Sequence, residues 1–134
     1  MNDVASAART WVSTPFHWEA AVKHIGCDCR GLLTGVAREL GRPEAETIEA
    51  NIVGYSRRID EAALLLGLDR LFDRKDDPEP GDILAFTIRD KVQHLGICTG
   101  DRFVHAYSLP PRQVIETPLS GIWLNRLAGV WAWR

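Results

Sequence analysis

The sequence predicts an α+β fold in which N-terminal helices pack on an antiparallel β-sheet. Three observations carry that expectation. Apolar residues recur at helical spacing through the first half of the chain. After Gly81 the period changes to two, in short runs separated by turn residues. A charged, proline-rich stretch from Asp73 to Gly81 divides the halves, and helices followed by a run of strands make the α+β pattern. At 134 residues the chain reads as one domain, 1–134, because neither half has enough apolar surface to fold alone. The divider is then a surface connection.

The first helix is expected over Asp3–Val12, with Val4, Ala7, Ala8 and Trp11 on one stripe. A second helix follows, with Thr14 as N-cap, Pro15 at the first helical position, Trp18, Ala21, Val22 and Ile25 as its stripe, and Gly26 as its stop. A third starts at Asp28, its N-cap. Leu32, Leu33, Val36 and Leu40 form its apolar stripe, and extending the stripe backwards reaches Cys29 in the first turn. Gly41-Arg42-Pro43 ends it. The pattern from Glu44 to Ile52 fits more than one assignment. Ser56 is a cap for a further helix carrying Ile59, Ala62, Ala63 and Leu66 and ending at Gly67, and Leu68 to Phe72 reads equally as strand or loop.

Strands are expected at Asp82–Ile88, Val92–Thr99, Arg102–Ser108 and Gln113–Thr117. A short helix over Ser120–Leu127 and a closing strand from Gly129 to Trp133 complete the chain. If Gly100-Asp101 is a two-residue hairpin loop, Thr99 faces Arg102 and His94 faces Tyr107. His94 and His105 are then diagonal neighbours on one face of the sheet, close enough for their rings to meet.

Hydrophobic residues at 46% and charged residues at 25% fit a soluble globular protein. A net charge of -2 and a pI near 6.1 argue against a nucleic-acid partner. No apolar run approaches membrane-spanning length, so membrane insertion is not expected. The N-terminus lacks the basic-then-apolar pattern of a signal peptide, which points to synthesis in the cytoplasm. Of three cysteines, Cys27 and Cys29 stand one residue apart, a spacing that rarely allows an unstrained disulfide. A reducing compartment follows.

Cys29 is the residue with the clearest chemistry. A thiol in the first turn of a helix meets the positive end of the macrodipole and free N–H groups, which favour the thiolate. Its pKa is therefore expected below the ordinary thiol value, against the opposing charge of Asp28. Alone, Cys29 fits a buried structural cysteine equally well. Paired with two histidines on one sheet face, it fits a nucleophile with His94 as base and His105 holding the imidazole in place. Cys27, Cys29, His94 and His105 are also zinc ligands by type, but the one-residue spacing of the cysteines is not that of structural zinc sites. Cys98 is expected as a small core residue. Trp18 is a candidate substrate platform.

The stretch Gly26-Cys27-Asp28-Cys29-Arg30-Gly31-Leu32 resembles the Asp-Cys-Ser-Gly-Leu motif of NlpC-type cell-wall peptidases, which have a papain-like fold. Pro80-Gly81-Asp82, His94-Leu95-Gly96-Ile97 and Phe103-Val104-His105-Ala106 are similar to that family's successive strand motifs. Ala8-Arg9-Thr10-Trp11, Thr14-Pro15-Phe16 and the Cys-Asp-Cys sequence more closely resemble the small peptidases of phage and gene-transfer-agent tail modules. The resemblance implies a cysteine amidase acting on peptidoglycan stem peptides, at the bond between γ-D-glutamate and a diamino acid, with no metal or organic cofactor. It implies Cys29 as nucleophile, His94 as base and His105 as orienter, with Asp28 binding the substrate's amino end. Arg30 stands where the family has Ser, and Phe16 where it has Tyr, with His17 adjacent. These residues define the expected substrate side of the site. The implied setting is a tail particle, with tail-tip or hub proteins as partners. Two other classes stand beside this one: a catalytically silent tail-tip structural subunit, and a Cys/His zinc or redox protein.

Overall fold

A computed structural model of the chain describes residues 2–51 and 60–134. Helix α1, Asp3–Arg9, is capped by Asn2, whose side chain accepts from the Val4 N–H at 2.8 Å. It is shorter than expected. Residues 10–13 continue as turns and Ser13 has φ 79°, which no helix accommodates. Trp11 is nonetheless buried, as its place on the stripe requires.

The second expected helix is absent. The segment forms a short hairpin of β1, Ala21–Val22, and β2, Gly26–Cys27. Glu19 at φ 61° and His24 at φ 67° are left-handed and would break a helix at two points. Thr14 is not an N-cap there: its buried hydroxyl accepts the His24 N–H at 3.0 Å and closes the loop. The 3.6-residue spacing of Trp18, Ala21, Val22 and Ile25 misled because Val22 and Ile25 are exposed.

Helix α2, Cys29–Glu39, has the expected start, cap and stripe. Asp28 caps it by accepting the Gly31 N–H at 2.7 Å. Leu32, Leu33 and Val36 are fully buried against the sheet, and Gly41 at φ 66° follows the helix end. Helices α3, Glu44–Asn51, and α4, Glu61–Leu71, complete the helical half. The cap expected at Ser56 lies outside the described residues. α4 starts at Asp60, whose side chain accepts the Ala63 N–H, and it runs through Gly67 to Leu71.

The strands are β3 (Phe72–Lys75), β4 (Ile83–Ile88), β5 (Lys91–Cys98), β6 (Arg102–Ala106), β7 (Val114–Pro118) and β8 (Leu127–Trp133), with helix α5 at Gly121–Arg126 before β8. They form one antiparallel sheet in the order β3-β8-β4-β5-β6-β7. Asp73–Lys75, expected in the surface connection, instead pair with β8. Alternation along the strands makes two cores. Ile83, Ala85, Leu95, Ile97, Val104 and Ala106 pack towards α1 and α2. Leu84, Phe86, Cys98, Phe103 and Val130 form the other face, closed by Trp123 of α5 and Leu127.

The β5–β6 hairpin has the expected register beside its turn, but the expected pairing of His94 with Tyr107 is not formed. The Thr99 N–H bonds the Arg102 carbonyl at 2.9 Å, and Cys98 pairs with Phe103 and Ile97 with Val104. There the ladder ends. β5 stays with β4 through Leu95↔Ala85 and Phe86↔His94, and β6 stays with β7 through His105↔Ile115 and Ala106↔Val114. The sheet therefore opens between β5 and β6 at the level of His94.

The packing of α2 depends on a missing side chain. A Cβ on Gly31 would lie 1.8 Å from the Ala20 carbonyl oxygen of the β1 loop. That neighbour is backbone held by the Asp28 N–H at 3.2 Å, so it cannot swing aside. Gly31→Ala is expected to cost about 1–3 kcal/mol or more in denaturant unfolding, despite the better helix propensity of alanine. An unchanged midpoint would contradict this account of the loop–helix contact.

Candidate active site

A cleft of about 540 Å³ lies where β5 and β6 part. Cys29 and Arg30 reach it from the start of α2, Phe16 and Trp18 from the β1 loop, His94 from β5, and Trp123 from α5. The helix start and the histidine strand thus meet at one opening although they approach from different faces of the sheet.

His94 and His105 form a connected pair. His94 Nε2 lies 2.8 Å from His105 Nδ1, and His105 Nε2 lies 2.8 Å from the Thr117 hydroxyl of β7. If His105 donates to Thr117, its Nδ1 must accept from His94 Nε2–H, which leaves His94 Nδ1 as a free lone pair. Gly96 makes this contact possible, since a Cβ there would sit 2.8 Å from the Phe103 ring and 3.4 Å from His105 Cβ. Trp123 covers both imidazoles, with ring centroids 5.6 Å from His94 and 4.9 Å from His105. Burial lowers both imidazole pKa values. His94 falls to about 4, by desolvation first and by the charge of Arg126 second. His105 falls further, by desolvation and then by the neighbouring imidazole. Both rings are neutral at pH 7.

Cys29 is half-buried, and its thiol pKa is pushed up to about 11. Desolvation is the largest cause and the Asp28 charge the second. Hydrogen bonding from the Leu95 backbone, the Arg30 guanidinium and the Arg30 backbone oppose them and lose. This reverses the acidic thiol expected from the helix terminus: burial and an adjacent carboxylate outweigh the macrodipole. No hydrogen bond joins Cys29 to His94 among the described residues. A neutral thiol and a neutral imidazole line the same cleft. Cys27 is fully buried in β2, with its thiol at about 12, and Cys98 is a core residue as expected.

The remaining sequence candidates divide. Phe16, Trp18 and Arg30 line the cleft, and Phe16 and Trp18 pack edge to face at 4.9 Å. His17 is exposed and is not among the lining residues; its Nδ1 lies 3.0 Å from the Trp18 carbonyl. Asp28 is buried with both oxygens engaged, Oδ1 by the Gly31 N–H and Oδ2 by the Glu19 N–H at 2.9 Å, and with Arg30 Nη2 at 3.8 Å. Its carboxylate serves the fold around Cys29. Sequence reasoning missed Trp123, Tyr107, Thr117, Arg89 and Arg126. Thr117 had a signal: on β7 it pairs with Phe103 of β6, which sets it beside the His105 face.

Three solved structures share this architecture. A similar-to-lipoprotein of the NLP/P60 family from Staphylococcus aureus subsp. aureus Mu50 superposes with TM-score 0.62 at 20% identity over 96% of this chain. The NlpC/p60 domain of peptidoglycan hydrolase SagA gives 0.63 at 16% identity over 98% of this chain and 99% of its own. The P60 domain of an antigen from M. avium subspecies paratuberculosis gives 0.60 at 15% identity over 96% of this chain and 90% of its own. The chain has the NlpC/P60 fold. It spans 39% of the staphylococcal protein. No family model and no curated protein matches the sequence. Within the NlpC/P60 fold, the papain-like α+β expectation holds in its essentials: a cysteine-bearing helix start set against an antiparallel sheet. The zinc alternative finds no ligand cluster, since among the described residues no three His, Cys, Asp or Glu side chains group as metal ligands.

The protonation states make a pH signature. Alkylation of Cys29 by iodoacetamide is expected to be slow at pH 6 and to climb towards pH 11, because the thiolate is the reactive form. A rate already at its plateau near pH 6, by peptide mass spectrometry, would show an ion pair instead. Stability follows the same groups. Below the ordinary histidine value of 6.5 the unfolded chain takes up protons that folded His94 refuses until about 4. Unfolding free energy is therefore expected to fall as pH drops through that window, and less steeply in His94→Gln.

Proposed function

We propose that the protein is a cysteine peptidase that hydrolyses peptidoglycan stem-peptide amide bonds, at the junction of γ-D-glutamate and a diamino acid. The observation that carries the reading is the line Cys29, His94, His105, Thr117, in which a helix-terminal thiol and an oriented imidazole open onto one cleft in an NlpC/P60 fold. SagA, whose NlpC/p60 domain shares this fold, is a peptidoglycan hydrolase, and the sequence motifs that resemble those of cell-wall peptidases support the same reading.

The neutral pair suits a concerted start. As the sulfur of Cys29 attacks the amide carbonyl, its proton passes to His94 Nδ1, so thiolate and imidazolium form together and not at rest. The Cys29 N–H at the first position of α2 has no intrahelical acceptor and is available to the developing oxyanion. His94 then gives its proton to the leaving amine as the C–N bond breaks. In the second half, water loses a proton to His94 and attacks the thioester, and the thiol is restored. His105, held by Thr117, keeps His94 Nε2 engaged so that Nδ1 faces the cleft. Phe16 and Trp18 supply an apolar wall for the stem peptide.

The resemblance to tail-module peptidases supports a setting in a phage-like tail particle, opening the wall locally during delivery with tail-tip or hub proteins as neighbours. A second reading, a catalytically silent tail subunit, draws on the unjoined Cys29 and His94 side chains. Digestion of purified peptidoglycan with mass spectrometry of the muropeptides decides between them. The wild type is expected to release γ-glutamyl products. Cys29→Ala and His94→Ala are expected to lose at least about 1,000-fold, and Thr117→Val about 10-fold, mainly in kcat. Undigested wall with folded wild type would leave the silent subunit.

A further inference from the structure

The charge of the cleft does not match that of the chain. The protein is net negative, yet three arginines, Arg30, Arg89 and Arg126, line the cleft and none of its lining residues is Asp or Glu. Arg30 is matched by the buried carboxylate of Asp28 at 3.8 Å. Arg89 and Arg126 form no ion pair among the described residues. Arg89 is exposed at the β4–β5 turn, beside Asp90, both with positive φ. Arg126 ends α5, where its guanidinium lies 5.3 Å from the Trp123 ring centroid. Trp123 in turn covers His94 and His105. A cation therefore lies against the tryptophan that covers the general base, and its charge weakens that base. Such a charge is unfavourable for the resting site, and among the described residues no carboxylate pairs with it.

We propose that Arg126, with Arg89, receives a free carboxylate adjacent to the scissile amide, and so selects stem peptides whose γ-linked D-glutamate keeps its α-carboxylate over those in which it is a carboxamide. The inference rests on the peptidase reading and names its substrate more closely. A carboxylate offers two acceptor oxygens to a guanidinium and cancels its charge, while a carboxamide presents N–H groups to a donor-only partner. The bound carboxylate also removes the repulsion that Arg126 exerts on a protonated His94. The correct substrate thereby strengthens the base that takes the thiol proton, whereas an amidated one leaves the base weak.

The test uses two synthetic peptides, L-Ala-γ-D-Glu-L-Lys and its α-carboxamide form, both amidated at the C-terminus so that the glutamate carboxylate is the only one present. Turnover is measured with the wild type, and binding by calorimetry with Cys29→Ala, which needs no catalysis. The carboxylate peptide is expected to be favoured about 10-fold or more in kcat/KM and in affinity. That ratio should fall several-fold in Arg126→Gln, return in part in Arg126→Lys, and shrink with added salt. Preferential binding without turnover would uphold the carboxylate site and reject the peptidase. Turnover at equal rates, a preference for the carboxamide, or a ratio untouched by Arg126→Gln would overturn the carboxylate site and leave the peptidase standing. Neither binding nor turnover would reject both.

Discussion

The site depends on the buried carboxylate of Asp28. Its two oxygens take the N–H groups of Gly31 and Glu19, and its own N–H holds the Ala20 carbonyl. One side chain therefore caps the helix that presents Cys29 and anchors the loop that carries Phe16 and Trp18. It also lies within 3.8 Å of the equally buried Arg30 guanidinium, so the charge is not left alone in the core. Removing such a partner costs more than the pair contributes, because the remaining charge stays buried. Asp28 is thus a structural joint between the two sides of the cleft.

That joint sets the chemistry of its neighbour. Burial raises the Cys29 thiol pKa most, and the adjacent carboxylate raises it further. Burial lowers His94. Both shifts oppose a resting ion pair, and together they hold one proton on sulfur and leave the imidazole nitrogen unprotonated. In the proposed reaction a reactive thiolate would then form only in the presence of a substrate carbonyl, which would limit side reactions of a free nucleophile. The opening between β5 and β6 is the other half of the arrangement. It lets a residue from the helix side and a residue from the α5 side face the same small volume, which an unbroken ladder would forbid.

Much of this was legible in the residues, and the failures have physical causes. The start of α2 could be read because Asp28 as cap and the stripe of Leu32, Leu33, Val36 and Leu40 agree on one register. The β5–β6 register followed from the Gly100-Asp101 turn, and with it the shared face of the two imidazoles. The helix expected after Thr14 failed because its spacing was fortuitous: left-handed Glu19 and His24 are residue types that seldom announce that conformation. The acidic thiol failed because the helix terminus was visible in sequence while burial was not. Trp123, Arg89 and Arg126 were missed because they reach the cleft from a short helix and a turn brought there only by tertiary folding. No local pattern marks them.

The central claim is that Cys29 is the atom that attacks, with its acyl group held where β5 and β6 part. It is tested most directly by trapping the intermediate. The protein is mixed with a γ-glutamyl stem peptide, quenched in acid within milliseconds to seconds, and analysed by intact mass and peptide mapping. The account predicts a transient adduct of the γ-glutamyl acyl mass on the peptide containing Cys29, located at Cys29 and not Cys27, which accumulates further when the water step is slowed. Product formed with no acyl adduct on Cys29, or an adduct on Cys27, would contradict it.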